Sequence, residues 1–160
     1  LSDPIEILER RLKAVLDREQ DTAGLHFFCQ IGGNYDDLGI VTLQISGAGR
    51  LLLSWRFDDE SPELWSLTLS EQDTRRFIEL LIAHPFWTVS PARRQRREDE
   101  TNVHLRICDQ TVATYKGVQF WTGDLKEFPI LRTLTGRICR IIDRVSDGEI
   151  DLDDLTAATA

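Results

Sequence analysis

Ile5, Leu8, Leu12, Val15 and Leu16 recur at helical spacing near the start of the chain, and from Leu25 the apolar period changes to two. Asp3-Pro4-Ile5-Glu6 supplies the helix start: Asp3 can cap, Pro4 suits the first helical position and Glu6 can reach back. Asp21 to Gly24 closes that segment. Leu25, Phe27, Cys29 and Ile31 then alternate with His26, Phe28 and Gln30, which predicts a half-buried strand. A turn follows at Gly32-Gly33-Asn34, and the loop extends through Tyr35, Asp36 and Asp37. Val41, Leu43 and Ile45 mark a second strand, joined by Gly47-Ala48-Gly49 to a third with Leu51, Leu53, Trp55 and Phe57 on one face. Beyond the polar break at Asp58 to Pro62, Trp65, Leu67 and Leu69 line a fourth.

Ser70-Glu71-Gln72-Asp73 is a second capping signal, and the helix it opens buries Phe77, Leu80 and Leu81 before Pro85 stops it at His84. Phe86 and Trp87 then read as a plug on the helix end, and residues 90–102 as a charged loop. Val103, Leu105 and Ile107 alternate with polar neighbours, Cys108-Asp109-Gln110 reads as a tight turn, and Thr111 to Trp121 gives one long or two short strands. A last helix runs from Pro129 to about Val145 with Leu131, Leu134, Ile138, Ile141, Ile142 and Val145 as its stripe. The order is α-β-β-β-β-α-β-β(-β)-α. It predicts an α+β fold, an antiparallel sheet of about six or seven strands with helices packed on one face. Residues 1–148 read as one domain and 149–160 as an acidic, flexible tail.

Charge changes the picture of what such a domain can meet. A net charge of −8 repels phosphate backbones and anionic headgroups, so neither nucleic acid nor membrane is expected as a partner. No apolar run reaches the roughly 18–20 residues that span a bilayer, and Leu1 to Leu16 is too charged for a signal peptide. The three cysteines, Cys29, Cys108 and Cys139, include no pair at CxxC spacing, which points to a reduced, cytoplasmic compartment. The first residue is not Met, as in a trimmed, processed or excised chain.

Candidate chemistry is sparse. His26 and Cys29 are three apart on a strand and so face opposite ways, which separates a nucleophile from its base. No HxH or HExxH spacing occurs, and no phosphate-binding glycine loop or G-x-S-x-G elbow is present, so no cofactor or metal is expected. Asp147, Glu149, Asp151, Asp153 and Asp154 suggest a calcium loop only superficially: Gly148 is misplaced, and Ala158 stands where the closing Glu belongs. Arg93, Arg94, Arg96 and Arg97 form the basic cluster, with Glu98, Asp99 and Glu100 directly behind to neutralise it. That segment reads as a mobile charged loop or the polar rim of an interface.

The aromatics say more. Trp55 and Trp65 share parity with apolar neighbours and read as core, whereas Phe28 lies opposite Phe27, and Trp121 opposite Phe120. Phe28, Trp121 and Tyr115 exposed on the outer sheet surface would form a patch that needs a partner or a dimer mate. The alternative is that the Arg93–Glu100 loop or the first helix covers them.

Leu67-Thr68-Leu69-Ser70-Glu71, then Phe86-Trp87, Asp99-Glu100, Val103 to Ile107 and Pro129-Ile130-Leu131 trace a strand into a capped helix, an aromatic plug, a charged loop, strands and a proline-started helix. Over Ile40 to Val145 this pattern resembles a family of small uncharacterised bacterial domains, and it implies a fold rather than functional residues. In size, acidity and element order the chain is also similar to the acidic dimeric chaperones of bacterial type III secretion, which run α-β-β-β-α-β-β-α; the early extra strand and the 90–102 segment set it apart. The expectation is a non-enzymatic protein-binding module (a chaperone, adaptor or inhibitor). Its binding residues would be Phe28, Tyr115, Trp121, Arg93, Arg94, Arg96 and Arg97, and its partner another protein. Two other readings stay open: an enzyme or small-ligand binder with a site assembled from distant segments such as His104, Cys108 and Asp109, and a homodimeric structural subunit.

Overall fold

The computed structural model describes residues 3–33, 37–153 and 155. Helix α1 spans Pro4–Leu16, and four strands follow: β1 (Leu25–Gly32), β2 (Ile40–Ser46), β3 (Arg50–Arg56) and β4 (Glu63–Thr68). Helix α2 is Glu71–Ala83, a short 3-10 turn holds Phe86–Thr88, and β5 (Asn102–Asp109) and β6 (Thr114–Trp121) precede helix α3, Pro129–Val145. The sheet is antiparallel throughout, in the order β4-β3-β2-β1-β5-β6. This is the α+β fold that the periodicities predict, with six strands. Tyr35 and Asp36 of the expected loop lie outside the described residues.

Local signals place the helices. The Asp3 carboxylate accepts from the Ile5 N–H at 2.9 Å, and the Ser70 hydroxyl accepts from the Asp73 N–H at 3.1 Å, so both predicted caps satisfy free first-turn donors. Gly32 sits at φ +92 where a Cβ would overlap the Gly39 carbonyl, which makes glycine obligatory at the exit of β1. The β5–β6 connection is longer than the sequence suggests. β5 continues to Asp109 and the turn occupies residues 110–113, with Ala113 at φ 51.

One core lies between the sheet and the helices. Phe27, Cys29, Val41, Leu43, Leu53, Val103, Leu105 and Phe120 face Leu8 and Leu12 of α1, Phe77 and Leu81 of α2, and Leu134 and Ile138 of α3. Phe27 meets Phe77 edge-on at 5.0 Å, Phe86 meets Trp87 edge-on at 5.2 Å, and the aromatic plug is buried as expected. The segment after α3 is packed in its described part, against the expectation of a free tail from residue 149. Gly148 turns the chain at φ +79, the Ser146 hydroxyl accepts from the Ile150 N–H at 3.1 Å, and Ile150, Leu152 and Leu155 are buried. Alternating apolar side chains, not the acids between them, decide where this segment goes.

β4 is an edge of the sheet. Trp65 is half-buried, Leu67 is 40% exposed on the helical side and Leu64 is 61% exposed on the other. Trp55 is half-buried as well, its indole donating to the Leu38 carbonyl at 2.8 Å. Edge position explains why Trp65 is less enclosed than parity alone predicts; Trp55 lies one strand in, near the end of β3.

Candidate functional site

Among the described residues no helix covers the second face of the sheet. The register lines its side chains up in rows: Arg106 lies opposite Phe28, Phe28 opposite Gln44, Gln44 opposite Leu52, and Leu52 opposite Ser66. The next row places Tyr115 beside Cys108 and Cys108 beside His26. Period-two alternation therefore brings Phe28, Tyr115 and Trp121 to one face, as their parity indicates. Tyr115 is 56% exposed, whereas Phe28 and Trp121 are half-buried.

Arg106 holds the centre. Its guanidinium carbon lies 4.4 Å from the centre of the Phe28 ring and 5.7 Å from that of Tyr115, a cation between two aromatic faces. Phe28 meets His104 edge-on at 6.3 Å. Burial, and then the Arg106 charge, lower the His104 pKa, so the imidazole is neutral at neutral pH. Two shallow hollows flank this group. One of about 720 Å³ runs from Arg106 and Phe28 to Arg50 and Leu52; the other, about 780 Å³, lies between Tyr115, Trp121 and the 89–94 segment.

The arginine cluster is folded onto this second hollow. Arg94 donates to Glu100 Oε1 at 2.7 Å and to Glu100 Oε2, and to Asp124 Oδ1 at 3.0 and 3.1 Å. Glu100 also accepts the backbone N–H groups of Arg97 and Gly123, at 2.6 and 3.1 Å. The Arg94 bonds and these backbone donors hold the Glu100 carboxyl at about 2, well below the ordinary carboxylate range. The Trp121 indole donates to the Arg94 carbonyl at 3.2 Å, so the segment partly covers that ring. Arg96 donates to the Glu100 carbonyl at 2.7 Å, leaving Arg93 and Arg97 exposed at the rim. Asp124, which the sequence reading did not single out, neutralises Arg94 together with Glu100.

The distributed enzyme alternative finds its residues apart. His104 and Cys108 share the open face two rows apart, while Asp109 points into the core side and pairs with Arg11 at 2.7 Å. Cys29 and Cys139 are buried, and burial raises both thiols, Cys139 to about 12. His26, on the opposite face from Cys29, cannot serve it. Among the described residues no group of three His, Cys, Asp or Glu is placed to hold a metal ion, and no helix is long and apolar enough to cross a membrane.

The fold and this face define an open-faced α+β sheet with an aromatic and arginine centre. A scan of family models found no match to the chain, and a search of curated proteins found no relative.

Proposed function

We propose that this chain is a non-enzymatic protein-binding module whose working surface is the open face of the sheet around Phe28, Arg106 and Tyr115. The observation that supports the reading most strongly is an exposed aromatic beside an arginine held over two rings, toward the β6 edge of a sheet face that, among the described residues, no helix covers. Tyr and Arg are the residue types that dominate binding energy at protein interfaces. Trp121 and the exposed Arg93 and Arg97 form one rim of that surface, while Arg94 and Arg96 hold the rim in place. A chaperone, an adaptor and an inhibitor would all use such a face, in the cytoplasm or wherever thiols stay reduced.

Capture from lysate of the source cells tests the reading. The wild-type chain retains a stoichiometric partner, Tyr115→Glu loses it, and Leu64→Glu on the β4 edge keeps it. A partner indifferent to Tyr115→Glu would contradict the assignment.

A homodimeric subunit is the second reading, and β4 favours it. The Leu69 N–H donates to the Gly49 carbonyl at 2.6 Å. Antiparallel alternation then turns the peptide groups of Leu64, Ser66 and Thr68 off the sheet edge, beside the exposed Leu64 and Leu67. Light scattering on the eluting protein decides it: a mass of two chains that falls to one in Leu64→Glu supports this reading, and a single-chain mass in the wild type removes it.

A further inference from the structure

We infer that the segment this face takes is acidic: a partner polypeptide that places a carboxylate on the Arg106 guanidinium between Phe28 and Tyr115. The inference rests on the reading of the open sheet face as a protein-binding surface, and it adds the chemistry of what binds there.

Charge distribution is the first support. The chain carries 27 acidic residues against 19 basic ones. Among the described residues, the outward positions of all six strands hold Arg50, Arg56 and Arg106 with His26 and His104, and not one aspartate or glutamate. The acids sit on the helices, as Glu6, Glu71 and Asp73 do, in turns and loops, as Asp58 and Asp59 do, or on the helical side of the sheet, as Glu63 and Asp109 do. A face cleared of negative charge in so acidic a molecule is complementary to an anionic partner.

Arg106 supplies the second. Elsewhere this chain saturates its enclosed arginines. Arg11 bonds Asp109, Gln20 and the carbonyls of Asp21 and Ala23, and Arg94 bonds Glu100 and Asp124. Arg106 is half-buried, yet among the described residues it has ring contacts only, with no hydrogen-bond or ion-pair partner. Ring stacking uses the face of the guanidinium, whereas a carboxylate binds in its plane through paired N–H donors. The aromatic contacts therefore orient the group and leave its donors free.

The hollow supplies the third. It runs from Arg106 on β5 to Arg50 on β3, with Phe28 and Leu52 on its floor. Three strand spacings and a two-residue offset along β3 put the two arginines roughly 16 Å apart, about five residues of extended chain. A short segment with two carboxylates and apolar side chains between them fits that span. A long nucleic-acid strand fits less well, because it would overrun the face and meet the acids around it.

The test titrates the isotope-labelled full chain at low salt with hexaglutamate and, in parallel, with hexaglutamine, following backbone amides by NMR. Hexaglutamate is expected to shift β1 and β5 amides around Phe28 and Arg106, and hexaglutamine to shift none. Arg106→Gln should weaken hexaglutamate roughly tenfold, Arg106→Lys should restore part of the binding, and Arg76→Gln on exposed α2 should change nothing. Arg50→Gln, at the other end of the hollow, gives an independent loss if Arg106→Gln melts early. Equal binding of hexaglutamine, shifts confined to residues 93–97, or tighter binding of a ten-nucleotide oligothymidine at the same amides would each overturn the inference. A captured partner that needs Tyr115 but binds the Arg106→Gln chain equally well overturns the carboxylate seat alone. One indifferent to both substitutions overturns the face reading itself.

Discussion

Arg11 and Asp109 stand 98 positions apart in the chain and 2.7 Å apart in the fold, both fully enclosed. Nothing in the local sequence marks that pairing: Arg11 reads as one more charge on an amphipathic helix, and Asp109 as a turn residue. The pair ties α1 and the 17–24 turn to the end of β5, and removal of one partner strands a buried charge. Asp109→Ala should cost about 3–5 kcal/mol by denaturant unfolding, and a loss below about 1 kcal/mol would show the pair to be incidental. Glu100 was legible only as a neutraliser of nearby arginines; its backbone donors, and Asp124 as the second carboxylate on Arg94, required the fold. Because its folded pKa is lowered to about 2, its contribution is complete above the ordinary value of 4.5 and is lost as pH falls from there through about 2. Melting temperature measured down that range should fall more steeply in the wild type than in Glu100→Gln. Parallel curves would contradict the linkage.

At the scale of elements, period and capping chemistry carried nearly everything. Both caps and the Pro129 start of α3 were legible because each rests on residues adjacent in sequence. What period could not show was neighbourhood. Trp65 and Leu67 have core parity, but β4 is an edge strand where Trp65 packs against the core only in part, and parity alone does not reveal edges. The segment after α3 failed in the opposite sense. Its acids suggested a free tail, while Ile150, Leu152 and Leu155 at two- and three-residue spacings close over the core. Ile150→Ala should therefore destabilise the chain by about 2–4 kcal/mol, and an unchanged unfolding midpoint would mean that the segment only rests on the surface.

Across the whole molecule the two faces of the sheet divide the work. One is apolar and buried under three helices, which makes the fold; the other is open, polar and aromatic, with no acid at its outward strand positions and with Arg106 between the rings of Phe28 and Tyr115. Strand parity made the positions of Phe28, Tyr115 and Trp121 legible in the sequence. The absence of acids from its strand positions was not, because it emerges only when the outward positions of the six described strands are assembled by register. On the proposed function another polypeptide docks on that face. Site-specific photo-crosslinking in the source cells tests it most directly, with a benzophenone side chain at Tyr115 and, as control, at the exposed Arg137 of α3. The account predicts an adduct with a different protein from Tyr115 and none from Arg137. No adduct from Tyr115, an adduct with a second copy of this chain, or the same adduct from both positions would contradict it.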